Sequence, residues 1–166
     1  MSAVDPFGAL RYDRADLSRV IVPPYDVIAA RDRELFFDRD PHNAIRLELT
    51  RDVADEASTD YAEIPRTLAA WRESGVLIRD GEPAFYPLRQ SFTAPDGGVH
   101  TRQGFFGLLR LEDYDRGIVR PHEQTLEGPK ADRLKLLRAA RANLSVVFML
   151  YEDRDDRLRP LLSDAL

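Results

Sequence analysis

Four apolar residues, Tyr61, Ile64, Leu68 and Trp71, recur at spacings of three and four and lay one continuous stripe along a helix. Gly75 stands where such a helix needs a residue free to adopt left-handed backbone angles, so the pattern predicts a helix with Gly75 as its C′ residue. Pro65 lies inside the stripe. It predicts a late start or a kink, because proline lacks an N–H and its ring crowds the preceding turn. A helix with one apolar face needs a partner surface from elsewhere in the chain.

The remaining segments supply candidates of both kinds. Tyr86, Leu88 and Phe92 alternate up to Pro95-Asp96-Gly97-Gly98, a hairpin turn signal, and Val99 to Leu111 returns as the partner strand. Ile45, Leu47 and Leu49 alternate with Arg46 and Glu48, the period of a half-buried strand. Val146 to Tyr151 is predicted to be a buried strand, and Phe7 to Tyr12 a short one. Pro23 and Pro24 force Val20 to Ile28 to be extended and poor at pairing. Ala30 to Phe37 reads as a short helix stopped near Pro41, and Leu158 to Leu166 as a last amphipathic turn or two. Gly128-Pro129 opens a helix to about Ala142, with Asp132 in its first turn. Helices mixed with an antiparallel hairpin indicate an α+β fold rather than repeating βαβ units. The expectation is a single domain over residues 1–166 with a small mixed or antiparallel sheet, a long hairpin and several packing helices.

Composition narrows the function. A chain of 166 residues, 43% hydrophobic, has material for one core. Its net charge of −5 disfavours a protein that coats nucleic acid, since phosphate binding needs an excess of cations. With no cysteine, disulfides, thiolate metal sites and cysteine nucleophiles are excluded. The N-terminus carries no secretory signal pattern, and the longest apolar run, Val146 to Leu150, is far short of a membrane span. A cytoplasmic location and no membrane partner are expected. There is no P-loop, no Gly-x-Gly-x-x-Gly and no Gly-x-Ser-x-Gly. His122-Glu123 resembles the start of a zinc-protease helix, but Leu126 occupies the position of the second ligand, so no metal site is assigned.

Chemistry concentrates in residues 120–133. Residues 120–141 hold six Lys/Arg against three Asp/Glu, a local +3 where the rest of the chain carries −8. Amides at a helix start, with Arg120, Lys130 and Arg133 nearby, suit an anion or phosphate. His122 and Glu123 are the candidate catalytic pair, as general base or ligand of a metal-bound water, and Thr125 is a candidate phosphate donor. On a helical wheel Leu136, Leu137, Ala139, Ala140 and Leu144 share a face. Arg133 projects along that stripe one turn earlier and should be partly enclosed and paired with a carboxylate or a ligand phosphate. Lys135 and Arg138 point away as solvated charges. The plainer alternative is that Arg133 bridges to the neighbourhood of Asp132 or a nearby strand.

Further candidates are Tyr25 and Asp26, on a rigid segment that suits a binding loop, and Asn43 and Arg46, on the polar face of the predicted strand. For the latter, pairing of Arg46 with Glu48 is the structural alternative. Arg102 and Gln103 occupy opposite faces of the hairpin, and Asn143 and Ser145 suit a cap or turn.

Five blocks taken together resemble a known family. They are Pro23-Pro24-Tyr25-Asp26-Val27-Ile28, Asn43-Ala44-Ile45-Arg46-Leu47-Glu48, Pro121-His122-Glu123-Gln124-Thr125-Leu126, Gly128-Pro129-Lys130-Ala131-Asp132-Arg133-Leu134 and Ala142-Asn143-Leu144-Ser145. In this order they are similar to the signature of the domain-of-unknown-function 1015 family, which resembles the ParB/sulfiredoxin-like superfamily. The resemblance implies nucleotide binding and phosphoryl transfer without a P-loop, with ATP or ADP and Mg²⁺ as cofactors. It also implies a longer protein with an Asp-Gly-His-His-Arg motif in its second half. That motif does not occur here, so the chain is expected to be the N-terminal portion of a longer family protein. Ala140 and Val146 stand where the family pattern has Thr and Pro.

Three functions follow. The first is a nucleotide-dependent phosphotransferase or nucleotide hydrolase acting on a nucleotide or phosphorylated small molecule. The second is a non-catalytic ParB-like module for an anionic ligand or DNA, the DNA version disfavoured by the acidic charge. The third is a structural half-domain that completes a site elsewhere.

Overall fold

The computed structural model describes residues 4–14, 16–51, 59–121 and 126–166. In chain order the strands are β1 (Val4–Asp5), β2 (Leu10–Tyr12), β3 (Leu77–Arg79), β4 (Tyr86–Thr93), β5 (Val99–Phe106) and β6 (Leu108–Leu109). The helices are α1 (Arg33–Arg39), α2 (Ile45–Glu48), α3 (Glu63–Glu73), α4 (Glu127–Ala140) and α5 (Leu158–Ala165). Helices thus mix with small antiparallel sheets, as an α+β class requires. The strands form three two-stranded sheets, β1–β6, β2–β3 and β4–β5, with none parallel.

Two compact units divide these elements. One takes the described residues of Met1–Ala9, Asp80–His122 and Phe148–Leu166; the other takes those of Leu10–Arg79 and Glu123–Val147.

The second, helical unit carries the larger core. In α3, Ile64, Leu68 and Trp71 are buried with Tyr61 just before it, as the stripe predicts. Pro65 is the third helical residue, where its missing N–H has no intrahelical acceptor to lose, so it marks a late start. Gly75 takes φ 75° and donates to Arg72 O at 3.3 Å, the expected end. Leu136 and Ala140 of α4 join this cluster with Leu47 and Leu77. Trp71 meets Tyr12 at 6.1 Å and the edge of His42 at 5.6 Å between ring centroids. A second cluster joins Ile28, Phe37, Ile45 and Leu49.

The strand expected at Ile45–Leu49 is a single helical turn, α2. Its alternation is nonetheless meaningful. Ile45 and Leu49, four apart, face one cluster, and Leu47 faces the other, so every second residue is buried without an extended backbone. An Asx turn starts it: Asn43 Oδ1 accepts from Ile45 N at 3.0 Å. Helix α4 begins one residue before Gly128-Pro129 and stops at Ala140, where Arg141 turns left-handed at φ 51°.

In the other unit β4 and β5 pair from Tyr86↔Phe106 to Thr93↔Val99. The turn falls where the Pro-Asp-Gly-Gly signal puts it. Ala94 N donates to Gly98 O at 2.8 Å, Gly97 takes φ 84°, and Asp96 Oδ1 receives Gly98 N at 2.9 Å. Tyr86 OH accepts from Ala9 N at 2.8 Å and donates to Asp80 Oδ2 at 2.9 Å.

The buried strand expected at Val146–Tyr151 is not present. All six residues lie outside any strand and are exposed, Val147 and Leu150 at 85% and 87%. A continuous apolar run signals burial on both faces only where other strands flank it, and no described strand pairs with this one. Among the described residues no helix is long and apolar enough to cross a membrane.

Candidate functional site

The helical unit places Arg133 one turn before Leu136, on the buried side of α4, with its side chain 19% exposed. Its partners account for the whole guanidinium. Nε and Nη2 donate to Asp132 Oδ2 at 3.0 and 2.6 Å, and Nη2 also reaches Tyr61 OH at 2.8 Å. Nη1 points to Glu48 Oε2 at 3.3 Å and Glu48 O at 3.4 Å. A guanidinium has five N–H donors, and these contacts occupy all of them. The Tyr25 ring closes one face, its centroid 3.9 Å from the guanidinium carbon.

The partners are themselves held. Tyr61 OH donates to Asp132 Oδ1 at 2.8 Å, and Ser145 Oγ donates to Glu48 at 2.8–2.9 Å. Asp132 is 5% exposed, an ionisable group that needs these bonds to stay buried. Burial raises the Tyr61 phenol above its usual range, and the bond to Asp132 adds to the rise, so Tyr61 stays protonated as a donor. For Arg133, burial works against the charge, but the hydrogen bond to Asp132 and the charges of Asp132 and Glu48 outweigh it and hold the pKa above the ordinary value.

Beside this network lies a cleft of about 310 Å³, lined among others by Tyr25, Asp26, Arg33, Thr50, Thr59 and Arg133. Its volume is at the small end of ligand pockets. Tyr25 and Asp26 belong to a short 3-10 turn, Tyr25–Val27, that follows the extended Pro24. Pro129, in the first turn of α4, lines it too. Among the described residues no group of three His, Asp or Glu is placed to hold a metal.

Three of the expected binding residues, Tyr25, Asp26 and Arg133, therefore line one cleft. The other described ones, Asn43, Arg46, Arg120 and Lys130, do not line it. Asn43 is fully buried and structural, donating to Arg19 O at 2.7 Å while capping Ile45. Arg46 donates to Phe37 O at 2.6 Å and stacks 5.0 Å over the Phe37 ring. Glu48, the alternative partner of Arg46, pairs with Arg133 instead. Lys130 is exposed and bonded to Glu127 at 2.6 Å. Arg120 is exposed, donates from Nε to Gly117 O at 3.4 Å, and belongs to the hairpin unit. Lys135 and Arg138 are exposed, as the wheel predicts. His122, Glu123 and Thr125 lie outside the described residues.

Tyr61 and Arg33 are the site residues that sequence reasoning misses; the bridge from Arg133 to Asp132 is its plainer alternative, and Glu48 is read there only as a partner of Arg46. Tyr61 reads as one more apolar position of a stripe, and Asp132 as a first-turn acid. Only their distance in sequence from one another, 71 residues, hides that they touch.

The role of Asn43 is separable by mutation. Asn43→Ala is expected to lower stability by about 2 kcal/mol, because it removes the Ile45 cap and leaves Arg19 O short of a donor. Urea titration measures the loss. Anion affinity of the folded variant should match the parent, and a large affinity change would return Asn43 to the binding residues.

A family model described as "Protein of unknown function (DUF1015)" matches residues 4–166. No curated protein and no solved structure gives a significant match.

Proposed function

The chain belongs to the DUF1015 family, and from that premise we propose that it binds a nucleotide or another phosphorylated small molecule in the cleft beside Arg133. The observation that carries this reading is the convergence of an aromatic face, two cations and a helix start on one concavity: Tyr25, Arg33, Arg133 and the first turn of α4. Tyr25 offers ring surface to a base or sugar, and the cations and helix dipole offset phosphate charge. Among the described residues no three His, Asp or Glu are grouped as a metal site. A Mg²⁺ that arrives with a nucleotide keeps most of its waters and needs only one or two carboxylates; Asp26, exposed at the cleft, is the residue that would hold it.

Phosphoryl transfer is the finer part of the proposal and rests on sequence. His122 and Glu123 precede α4 by a few residues in sequence, and a histidine with a carboxylate is the chemistry that a general base for phosphoryl transfer needs. Calorimetry with ATP, ADP and CTP, with and without Mg²⁺, is expected to give saturable binding. Glu123→Gln should then keep that affinity and lose turnover. If none of the nucleotides binds, the reading is withdrawn.

One observation favours a purely binding role. Every Arg133 donor is already taken by protein acceptors, as in a scaffold rather than a charge clamp. In that case Glu123→Gln alters nothing, because there is no turnover to lose.

A further inference from the structure

We propose that Arg33, not Arg133, is the side chain that reads the anionic group of the ligand. This rests on the cleft being an anion site, but not on the anion being a nucleotide.

The two cleft cations differ in what answers their charge. Arg133 faces two carboxylates, Asp132 and Glu48. Arg33, the first residue of α1, is half-buried and lines the same cleft. Among the described residues its one hydrogen bond runs from Nη1 to Thr50 O at a long 3.3 Å, and its buried Nε has no acceptor. No carboxylate among the described residues pairs with it. A partly buried guanidinium without a counter-ion is costly, and the missing partner is an oxyanion. Arg46 also has a buried Nε without an acceptor, but it stacks on Phe37 and does not line this cleft.

Charge sets the ligand class. Among the described residues the charges that line the cleft, Asp26 and Asp132 against Arg33 and Arg133, sum to zero, two acids less two bases. With Arg133 paired to Asp132 and Glu48, Arg33 is the lining cation left to answer a phosphate or carboxylate. A polyphosphate that brings its own divalent cation adds the least uncompensated charge. Arg33 supplies a planar fork for two oxygens, and among the described residues its Nη2 makes no hydrogen bond.

The test follows arginine Nε–Hε resonances in the full chain, titrated separately with inorganic phosphate, acetate, and pyrophosphate with and without Mg²⁺. Arg33→Lys assigns the Arg33 signal. The Arg33 resonance should move on addition of Mg²⁺-pyrophosphate while that of Arg133 stays in place. Arg33→Ala should weaken that affinity by about tenfold or more, and Arg33→Lys by less, since it keeps charge but loses the fork. Should Arg33→Ala fail to fold, the resonance shift in the parent chain remains decisive. Movement confined to Arg133, or no response to any of these anions, overturns the assignment. If pyrophosphate moves Arg33 while ATP, ADP and CTP do not compete, the assignment stands and the nucleotide reading fails. If nucleotides bind with Arg33 unmoved, the reverse holds.

Discussion

Arg133→Ala is expected to destabilise the helical unit by about 3 kcal/mol, the low end of what removing one member of a buried ion pair costs. The loss is not that of an attraction alone. Asp132, with 7% of its side chain exposed, and Glu48, with 13%, would remain buried without their cation. Tyr61 and Ser145 retain hydrogen bonds to them and soften the penalty, and the 19% exposure of Arg133 admits some water, which is why the low end applies. Arg133→Lys should recover little, since one ammonium cannot span Asp132, Tyr61 and Glu48 together. A second change tests the cause. If stranded carboxylate charge is responsible, Arg133→Met combined with Asp132→Asn will be more stable than Arg133→Met alone in urea titration. Additive losses would mean instead that the guanidinium acts mainly through packing on Tyr25.

Trp71→Ala is expected to cost about 4 kcal/mol, as truncation of a buried aromatic removes both transfer energy and neighbours. Trp71 is 6% exposed and touches the Tyr12 and His42 rings as well as the α3–α4 cluster. Trp71→Phe preserves most of the ring and should cost about a third as much. As the single tryptophan of the chain, Trp71 also reports on this core by fluorescence. Unfolding of the variants must be followed by circular dichroism. A loss below about 1 kcal/mol for Trp71→Ala would mean that the cluster repacks freely, contrary to the close packing of protein interiors.

What the sequence reveals here depends on range. Features set by neighbours within one turn are legible: the α3 stripe, the Gly75 terminus, the Asp96-Gly97-Gly98 turn and the enclosure of Arg133 on its helix face. Features set by surroundings on two sides are not. Ile45, Leu47 and Leu49 alternate because two clusters flank one helical turn, and a period of two cannot by itself distinguish that from a strand. Val146–Tyr151 has the composition of a buried strand but no described strand beside it. At the site, Tyr25, Asp26 and Arg133 were visible as chemistry-bearing residues on constrained backbone. The bridge from Arg133 to Asp132 is legible as well, because the two are neighbours in sequence, but Glu48 and Tyr61 each have an adequate local explanation, so nothing in their own windows announces that they share this network.

The helical unit is built from two separated stretches, Leu10–Arg79 and Glu123–Val147, and the Arg133 network is the seam between them. Contacts spanning 85 residues from Glu48 and 72 from Tyr61 must wait for a long loop to close. During synthesis the first stretch therefore emerges with the part of its core that packs on Leu136 and Ala140 unmatched. The wall of the cleft is among the last features to assemble, and any ligand-binding ability appears only after the polypeptide has been made through α4.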